Sequence, residues 1–424
     1  MPGVQQMSLF QKNAADLTPD VPTTDPSLGP HLKNRAGGPW AASDAPKTAS
    51  ARYALHRGDA LDAYRRWPTP ACIISDGAYG VRGFPGDTAT PEELPDWYAP
   101  HVAAWSKAAT PASVLWFWNT EIGWASTHPL LVANGWKYEF AITWDKTIKH
   151  VAGNWNGQTA RRWPVVTEIC VMYSRPLVVP TLDGEMPVKD WMRHEWKRAG
   201  LRYNEANAAC GVINAASRKY MATEPWLWYP PSPEIMEKLV AYANEHGGHA
   251  GRPYYSLDGV LPVTAAEWAR TRYTWNNGWH GVTNVWSLGP LNGKERHRGT
   301  GEKAAPRQYA PTTSASLHLN QKPLEAMRRL VQATTNKGDV VWEPFGGLCS
   351  GSVAAVEEGR FAYAAEPVER FEQMARDRLR AASKVAAGRG SGSAGPLLLP
   401  PTSSTSTFPS PRPSWDEAGA EIDG

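Results

Sequence analysis

At 424 residues the chain can bury a sizeable core, enough for one catalytic domain and one insertion. Its four cysteines (Cys72, Cys170, Cys210, Cys349) form no CxxC pair, which argues against a zinc site or disulfide framework and suits a reducing cytoplasm. The net charge of +3 decides nothing about a polyanionic partner, and no apolar run reaches the ~18–20 residues that cross a bilayer.

Residues 1–50 are rich in Pro, Thr, Ala, Asp and Gly without periodicity and read as a disordered arm. MPGVQQMSLFQKNAADL lacks a basic start followed by a continuous apolar stretch, so no signal peptide is expected. Structure is expected from about Tyr53. ACIISDGAYG reads as a buried strand entering a loop, and a helical pattern follows from about Trp97 to Ala108. SVLWFWNT (113–120), YEFAITWD (138–145) and TEICVMYS (167–174) are further strands, rich in β-branched and aromatic residues. Strands alternating with helices predict an α/β fold with a mostly parallel sheet, spanning 51–178 in its first half.

Over 179–313 the texture changes to Trp, Asn, Gly and Pro, as in an inserted domain. From Asp145 to Tyr220 there are 12 Lys/Arg against 7 Asp/Glu, and from Leu291 to Arg329 there are 8 against 3. Such clusters suit phosphate contacts, although an ordinary solvated surface carries similar surpluses. Of the 21 tryptophans, many lie in the central third (Trp191, Trp196, Trp226, Trp228, Trp268, Trp275, Trp279, Trp286). Aromatic rings stack on unpaired bases, but most of these are expected to be core. Two short helical stretches flank Ala208-Ala209-Cys210-Gly211-Val212. A glycine at that junction suits a helix-turn-helix as well as a plain helical hairpin, and Asn207 stands where a small residue is expected. Asn214, Ser217, Arg218 and Lys219 are its candidate DNA contacts.

The sheet pattern resumes over 314–384, with KPLEAMRRLVQATT a helix and GDVVWEPFGGLCSGSVAAVEEG a strand, a Gly-rich turn and a helix starting around Ser350 to Ser352. FAYAAE is the next strand and ends on Glu366, placed to accept ribose hydroxyls. Alone, this unit is equally a tight turn. The Gly/Ser/Pro-rich tail 385–424 is expected to be disordered. In the first strand, Asp76 stands three residues before Tyr79. Methylation of an exocyclic amine needs an acceptor for the NH2 and an aromatic face for the extruded base, and these two residues supply them. An Asp-Gly turn with a packed Tyr is the plain alternative.

Taken in order, these motifs resemble the permuted β group of amino-group DNA methyltransferases. That family carries D/S-P-P-Y, a target recognition domain, H-P-x-Q-K-P and then D-P-F-x-G-S-G-T. Here stand SDGAYG, a long insertion, His318-Leu319-Asn320-Gln321-Lys322-Pro323 and Glu343-Pro344-Phe345-Gly346-Gly347. Gly77 and Ala78 replace the two prolines, removing their rigidity, so the loop must be held by its neighbours. Glu343 replaces an Asp, and the later glycine is replaced by Cys349 or displaced to Gly351.

The resemblance implies a circularly permuted, Rossmann-like methyltransferase sheet using S-adenosyl-L-methionine, with double-stranded DNA as partner and a cognate restriction endonuclease as a second one. Asp76 and Tyr79 would be catalytic. Phe345, Gly346 and Gly347 would line the cofactor, with Glu343 beginning their motif. Glu366 would bind the ribose, and Asp59 would lie near the adenine end. Gln321, Lys322 and Pro323 would close over the methionine end. Asp76 aligns with the adenine-type motif, whereas Ser75 sits one position early for the cytosine type, so adenine N6 is favoured over cytosine N4. An inactive DNA-binding homologue is the non-enzymatic alternative. A cytosine-C5 mechanism is disfavoured because Cys72 lacks a preceding proline. No metal is expected.

Overall fold

The computed structural model describes residues 52–389, apart from 82–85, 149–160, 182–183, 225–226, 249–250, 277, 279–281, 290 and 292–320. The arm 1–50, the stretch from His318 to Asn320 and all but the first residues of the tail lie outside the described residues.

In chain order the first half contains β1 (Tyr53–Arg57), β2 (Cys72–Ser75), α1 (Leu94–Ala108), β3 (Val114–Asn119), α2 (Glu121–Ala133), β4 (Lys137–Asp145) and β5 (Thr167–Ser174). A hairpin of β6 (Val178–Thr181) and β7 (Gly184–Pro187) leads into α3 (Val188–Arg198), α4 (Glu205–Cys210), α5 (Ala215–Tyr220), α6 (Pro233–His246) and α7 (Ala265–Ala269). After β8 (Val285–Ser287) come α8 (Leu324–Thr334), β9 (Val340–Glu343), α9 (Ser350–Glu357), β10 (Phe361–Glu366) and α10 (Glu369–Arg389). The last helix therefore continues past residue 384 into the stretch expected to be disordered tail. No helix among the described residues is long and apolar enough to cross a membrane.

Eight strands form one sheet in the order β1-β10-β9-β2-β3-β5-β4-β8. Pairing is parallel from β1 to β3, antiparallel on both sides of β5, and parallel again between β4 and β8. β8 falls within the stretch read as insertion, yet it pairs with β4, so the main sheet takes a strand back before the insertion ends.

Strand alternation sorts the core into two faces. Cys72 and Ile74, Val114, Trp116 and Trp118, and Cys170 and Met172 pack on one face with α8, α9 and α10. Ile73, Leu115, Phe117, Val171 and Tyr173 pack on the other with Leu94, Tyr98, Val102 and Trp105 of α1. The result is a three-layer α/β/α domain of the Rossmann-like class. Residues between β6 and α7 have a separate core around Trp191, Met192, Trp196, Leu239 and Trp268. Of the central tryptophans, Trp226 and Trp279 lie outside the described residues; Trp191, Trp196, Trp268 and Trp286 are buried, Trp228 packs half-buried against the same core, and Trp275 is exposed.

The chain leaves β9 for β10 on one side, while β2, on the other side, continues to β3. In an open α/β sheet, ligands bind outside the carboxyl ends of the strands where the order diverges in this way. The loops after β2 and β9 meet there.

Candidate active site

The loop leaving β2 begins at Asp76, and without prolines it is fixed by hydrogen bonds. The Asp87 carboxylate accepts the backbone N–H groups of Tyr79 and Gly80, each at 2.9 Å. The Ala78 carbonyl accepts Asn119 Nδ2 at 2.9 Å and the Tyr98 hydroxyl at 3.0 Å. Gly123 makes room for Asn119, since a Cβ there would fall 1.9 Å from Asn119 Oδ1. Sequence reasoning identified none of Asp87, Tyr98 and Asn119. A Cβ on Gly77 would fall 2.6 Å from Phe345 Cδ2 and 2.7 Å from the Tyr98 hydroxyl, so the aromatic of the β9 turn lies directly on the acceptor loop.

Asp76 Oδ1 accepts the Tyr79 hydroxyl at 2.7 Å and Lys322 Nζ at 2.7 Å. Lys322 Nζ also donates to the Tyr79 hydroxyl at 2.8 Å and lies 3.3 Å from Glu168 Oε2. Glu168 Oε1 in turn binds Lys146 Nζ at 2.9 Å. Burial opposes charge on Lys322, but Asp76 and Glu168 outweigh it and hold the ammonium above the usual lysine range. Burial likewise opposes the Glu168 charge, and Lys322 and Lys146 overcome it, keeping this carboxyl below its ordinary value. Burial and both carboxylates push the Tyr79 phenol far up, so it stays neutral. The Lys322 ammonium lies at the hydroxyl end of the Tyr79 ring, 5.1 Å from its centroid. Lys322, grouped with the cofactor residues from sequence, thus meets Asp76 and Tyr79. Glu168 and Lys146 were missed, although a Glu entering the apolar strand TEICVMYS was a signal.

At the end of β9, Glu343 accepts the N–H groups of Gly351 (2.8 Å) and Ser352 (2.6 Å) in the first turn of α9. Gly347 donates to Glu366 Oε2 at 2.7 Å and Val368 to Oε1 at 2.8 Å, while Gly346 donates to the Ala365 carbonyl at 2.8 Å. The turn is thereby laid across the end of β10, with Gly347 at φ 50° and Cys349 at φ 53°. Phe345 packs among Trp97, Tyr98, His101 and Trp105 of α1. Asp59 is exposed and caps a short turn through the N–H of Leu61 at 2.9 Å, and its neighbour Gly58 donates to the Glu366 carbonyl at 3.2 Å. Gln321 and Pro323 are buried beside Lys322.

Burial pushes the Glu343 carboxyl up to about 7. Between the unfolded value of 4.5 and about 7 the folded chain keeps a proton that the unfolded chain has released, so this group's contribution to stability falls as pH rises through that window. Relative to Glu343→Gln, which does not titrate, the unfolding free energy should fall by on the order of 3 kcal/mol from pH 4.5 to beyond 7. Urea titrations of both chains at the two pH values measure this, and a constant difference would refute it.

In the insertion, Asn207 Nδ2 bonds the Ser217 hydroxyl at 2.9 Å and Asn207 Oδ1 accepts the Ser217 N–H at 3.0 Å. The unexpected asparagine latches α4 to the first turn of α5. Gly211 closes α4 in the left-handed region, at φ 69°. Asn214, Arg218 and Lys219 are exposed, whereas Ser217 is half-buried against Asn207. The hydrogen bonds of Ser217 and Asn214 stay within α4 and α5 and do not reach Asp76 or Phe345.

The family model for N6/N4 DNA methylases matches residues 71–377, well over half of the chain. The chain belongs to this DNA methylase family. Several solved structures superpose on the methylase weakly. The M1.HpyAVI–SAM complex is 12% identical, covering 77% of this chain and 98% of its own, with a TM-score of 0.40. TTHA0409 of Thermus thermophilus, complexed with S-adenosyl-L-methionine, is 14% identical, covering 78% and 95%, with a TM-score of 0.37. The cytosine-N4-specific PvuII DNA methyltransferase is 10% identical, covering 80% and 92%, with a TM-score of 0.42. No curated protein matches the chain.

The methylase site suits a ribose-bearing cofactor by its donor set. Each Glu366 oxygen takes one backbone N–H and keeps lone-pair capacity for a hydroxyl donor. The Gly346 backbone beside it lies close over the end of β10, where a Cβ would fall 2.9 Å from the Ala365 carbonyl and 2.7 Å from Cys349 Sγ.

Proposed function

We propose that this methylase transfers a methyl group from S-adenosyl-L-methionine to adenine N6 in double-stranded DNA, acting on a base rotated out of the duplex. The observation that carries this reading is the contact between the Asp76 loop and the Phe345 turn at the divergence of the sheet. It sets a carboxylate acceptor beside the turn expected to receive the methyl donor. An aspartate, rather than a serine, in the first position of the loop supports adenine.

Phe345, Gly346, Gly347 and Glu366 would hold the cofactor, Glu343 would support the turn through the α9 amides, and Asp59, Gln321 and Pro323 would border it. Bound there, the cofactor supplies an electrophilic methyl on sulfonium sulfur. Asp76 accepts an N–H of the target amine, which turns the nitrogen lone pair out of the ring, and takes up the proton that nitrogen must lose. Tyr79 offers its ring to the extruded base. Rate comes chiefly from holding nitrogen and methyl in line. In this reading residues 51–178 and 314–384 make the catalytic unit and 179–313 the recognition unit. Arg218 and Lys219 on α5 face phosphate and Asn214 faces a base edge, while Ser217 supports α5 through Asn207.

Single-molecule sequencing of DNA from cells expressing the chain and Asp76→Ala tests the proposal. The expected result is N6-methyladenine in one short sequence context, absent in the variant. N4-methylcytosine instead would keep the donor and the acceptor loop and overturn the base. No modification in either sample, with cofactor binding also absent by calorimetry, would leave a DNA-binding protein without activity.

A further inference from the structure

Lys322 is buried to 3% exposure, and its ammonium has three N–H groups facing three acceptors: Asp76 Oδ1 at 2.7 Å, the Tyr79 hydroxyl at 2.8 Å and Glu168 Oε2 at 3.3 Å. Glu168 is itself anchored from the other side by Lys146. Two carboxylates and two ammonium groups make this network neutral overall, which is what allows it to be buried. The Tyr79 hydroxyl donates to Asp76 Oδ1 at 2.7 Å, with Glu168 Oε2 a longer acceptor at 3.3 Å, and it accepts from Lys322, so the phenol is held by all three charged groups.

We infer that Lys322 and Glu168 are positioning residues for methyl transfer, a clamp that fixes Asp76 and the Tyr79 ring, with Lys322 serving the acceptor amine rather than the cofactor. This rests on the function proposed above. Both bonds to Asp76 fall on Oδ1. That fixes the carboxylate's rotation and leaves Oδ2 for the target amine. The tyrosine is held by its hydroxyl, so the plane of its ring is set before a base arrives. Glu168 is the post against which Lys322 is pulled. Lose the post, and the ammonium keeps Asp76 and Tyr79 without a fixed direction.

Two sets of measurements on the full-length chain decide this. In Lys322→Met, kcat for methyl transfer should fall by roughly 100-fold, the scale of an ångström's misplacement of reacting groups. In Glu168→Gln it should fall by about 10-fold, and Lys322→Arg should recover part of the loss. KM for S-adenosyl-L-methionine, and its affinity by calorimetry, should change little in all three. Loss of cofactor affinity in Lys322→Met, with kcat retained at saturating cofactor, would overturn the inference and return Lys322 to the cofactor site. The second set needs no activity. An amine-reactive label followed by mass spectrometry should leave Lys322 unmodified in the native chain and modify it in Glu168→Gln. Labelling of Lys322 at the rate of surface lysines in the native chain would also overturn the clamp. Should the native chain methylate no DNA, the function proposed above fails, and the labelling pattern alone still decides whether the clamp exists.

Discussion

Restoring a proline at position 77 is expected to harm this methylase, although the family's motif carries one there. A Cβ on Gly77 would lie 2.6 Å from Phe345 Cδ2 and 2.7 Å from the Tyr98 hydroxyl, and proline brings two further ring carbons. Overpacking of this kind costs about 1–3 kcal/mol, and the ring must push Phe345 off its aromatic neighbours. Displacing Phe345 also moves the turn laid across Glu366, and with it the seats proposed above for the target base and the cofactor. We expect Gly77→Pro to lower kcat/KM for DNA methylation by about 100-fold or more, with the melting temperature several degrees down. The double variant Gly77→Pro with Phe345→Ala should regain part of the stability, because the clash partner is gone. A single variant as active as the parent would show that Phe345 does not press on the acceptor loop.

The second large effect lies in the insertion. Glu195 on α3 is 1% exposed and accepts Arg198 Nε at 3.0 Å, Arg198 Nη2 at 2.6 Å and the Tyr255 N–H at 2.8 Å, with Arg252 Nη2 3.5 Å away. Burial works against its charge, but Arg198, the Tyr255 amide and Arg252 hold the carboxyl below its usual range. Glu195→Ala leaves the Tyr255 amide unpaired and removes the carboxylate from Arg198, which keeps only the Pro253 and Arg252 carbonyls, a loss of about 3 kcal/mol. The residues from β6 to α7 have their own core, so they should unfold first, and on the recognition role proposed above DNA affinity should vanish in anisotropy titrations. Cofactor binding should survive, since the turn after β9 is held by β10 and α9. A single unfolding transition that takes cofactor binding with it would make the insertion part of one cooperative unit.

The sheet was legible because β2, β3 and β5 bury both faces and so read as apolar runs bounded by turn residues. The motif order carried the acceptor loop and the Gly-rich turn. Harder to see was what the charged residues do. Asp76, Glu168 and Lys322 are far apart in the chain, and nothing in their spacing joins them. Only the folded sheet brings both carboxylates within 3.3 Å of the Lys322 ammonium. The loop's stiffness was similarly hidden, because Asn119 and Tyr98 supply through hydrogen bonds what prolines supply covalently. Glu343 was expected near the cofactor, but both of its oxygens are taken by amides of α9, which periodicity cannot disclose. Asn207 weakened the helix-turn-helix reading from sequence, yet it is the residue that ties α4 to α5.

The pairing of β1 with β10 has a consequence for how the chain is made. Tyr53 lies beside Ala362 and Arg57 beside Glu366, so one edge of the sheet joins strands from opposite ends of the fold. A ribosome releases β1 long before its partner exists, and at ~5–20 residues per second the wait is on the order of tens of seconds. Throughout that interval β2 also lacks β9, and two strands present bare edges to other chains. Topologies dominated by such distant pairings fold slowly and are exposed to aggregation while they do. Premature release before Phe345 yields an acceptor loop with no turn to face, and release before Glu366 yields a turn with no strand end to lie across. The enzyme's activity is thus gated by completion of its own synthesis.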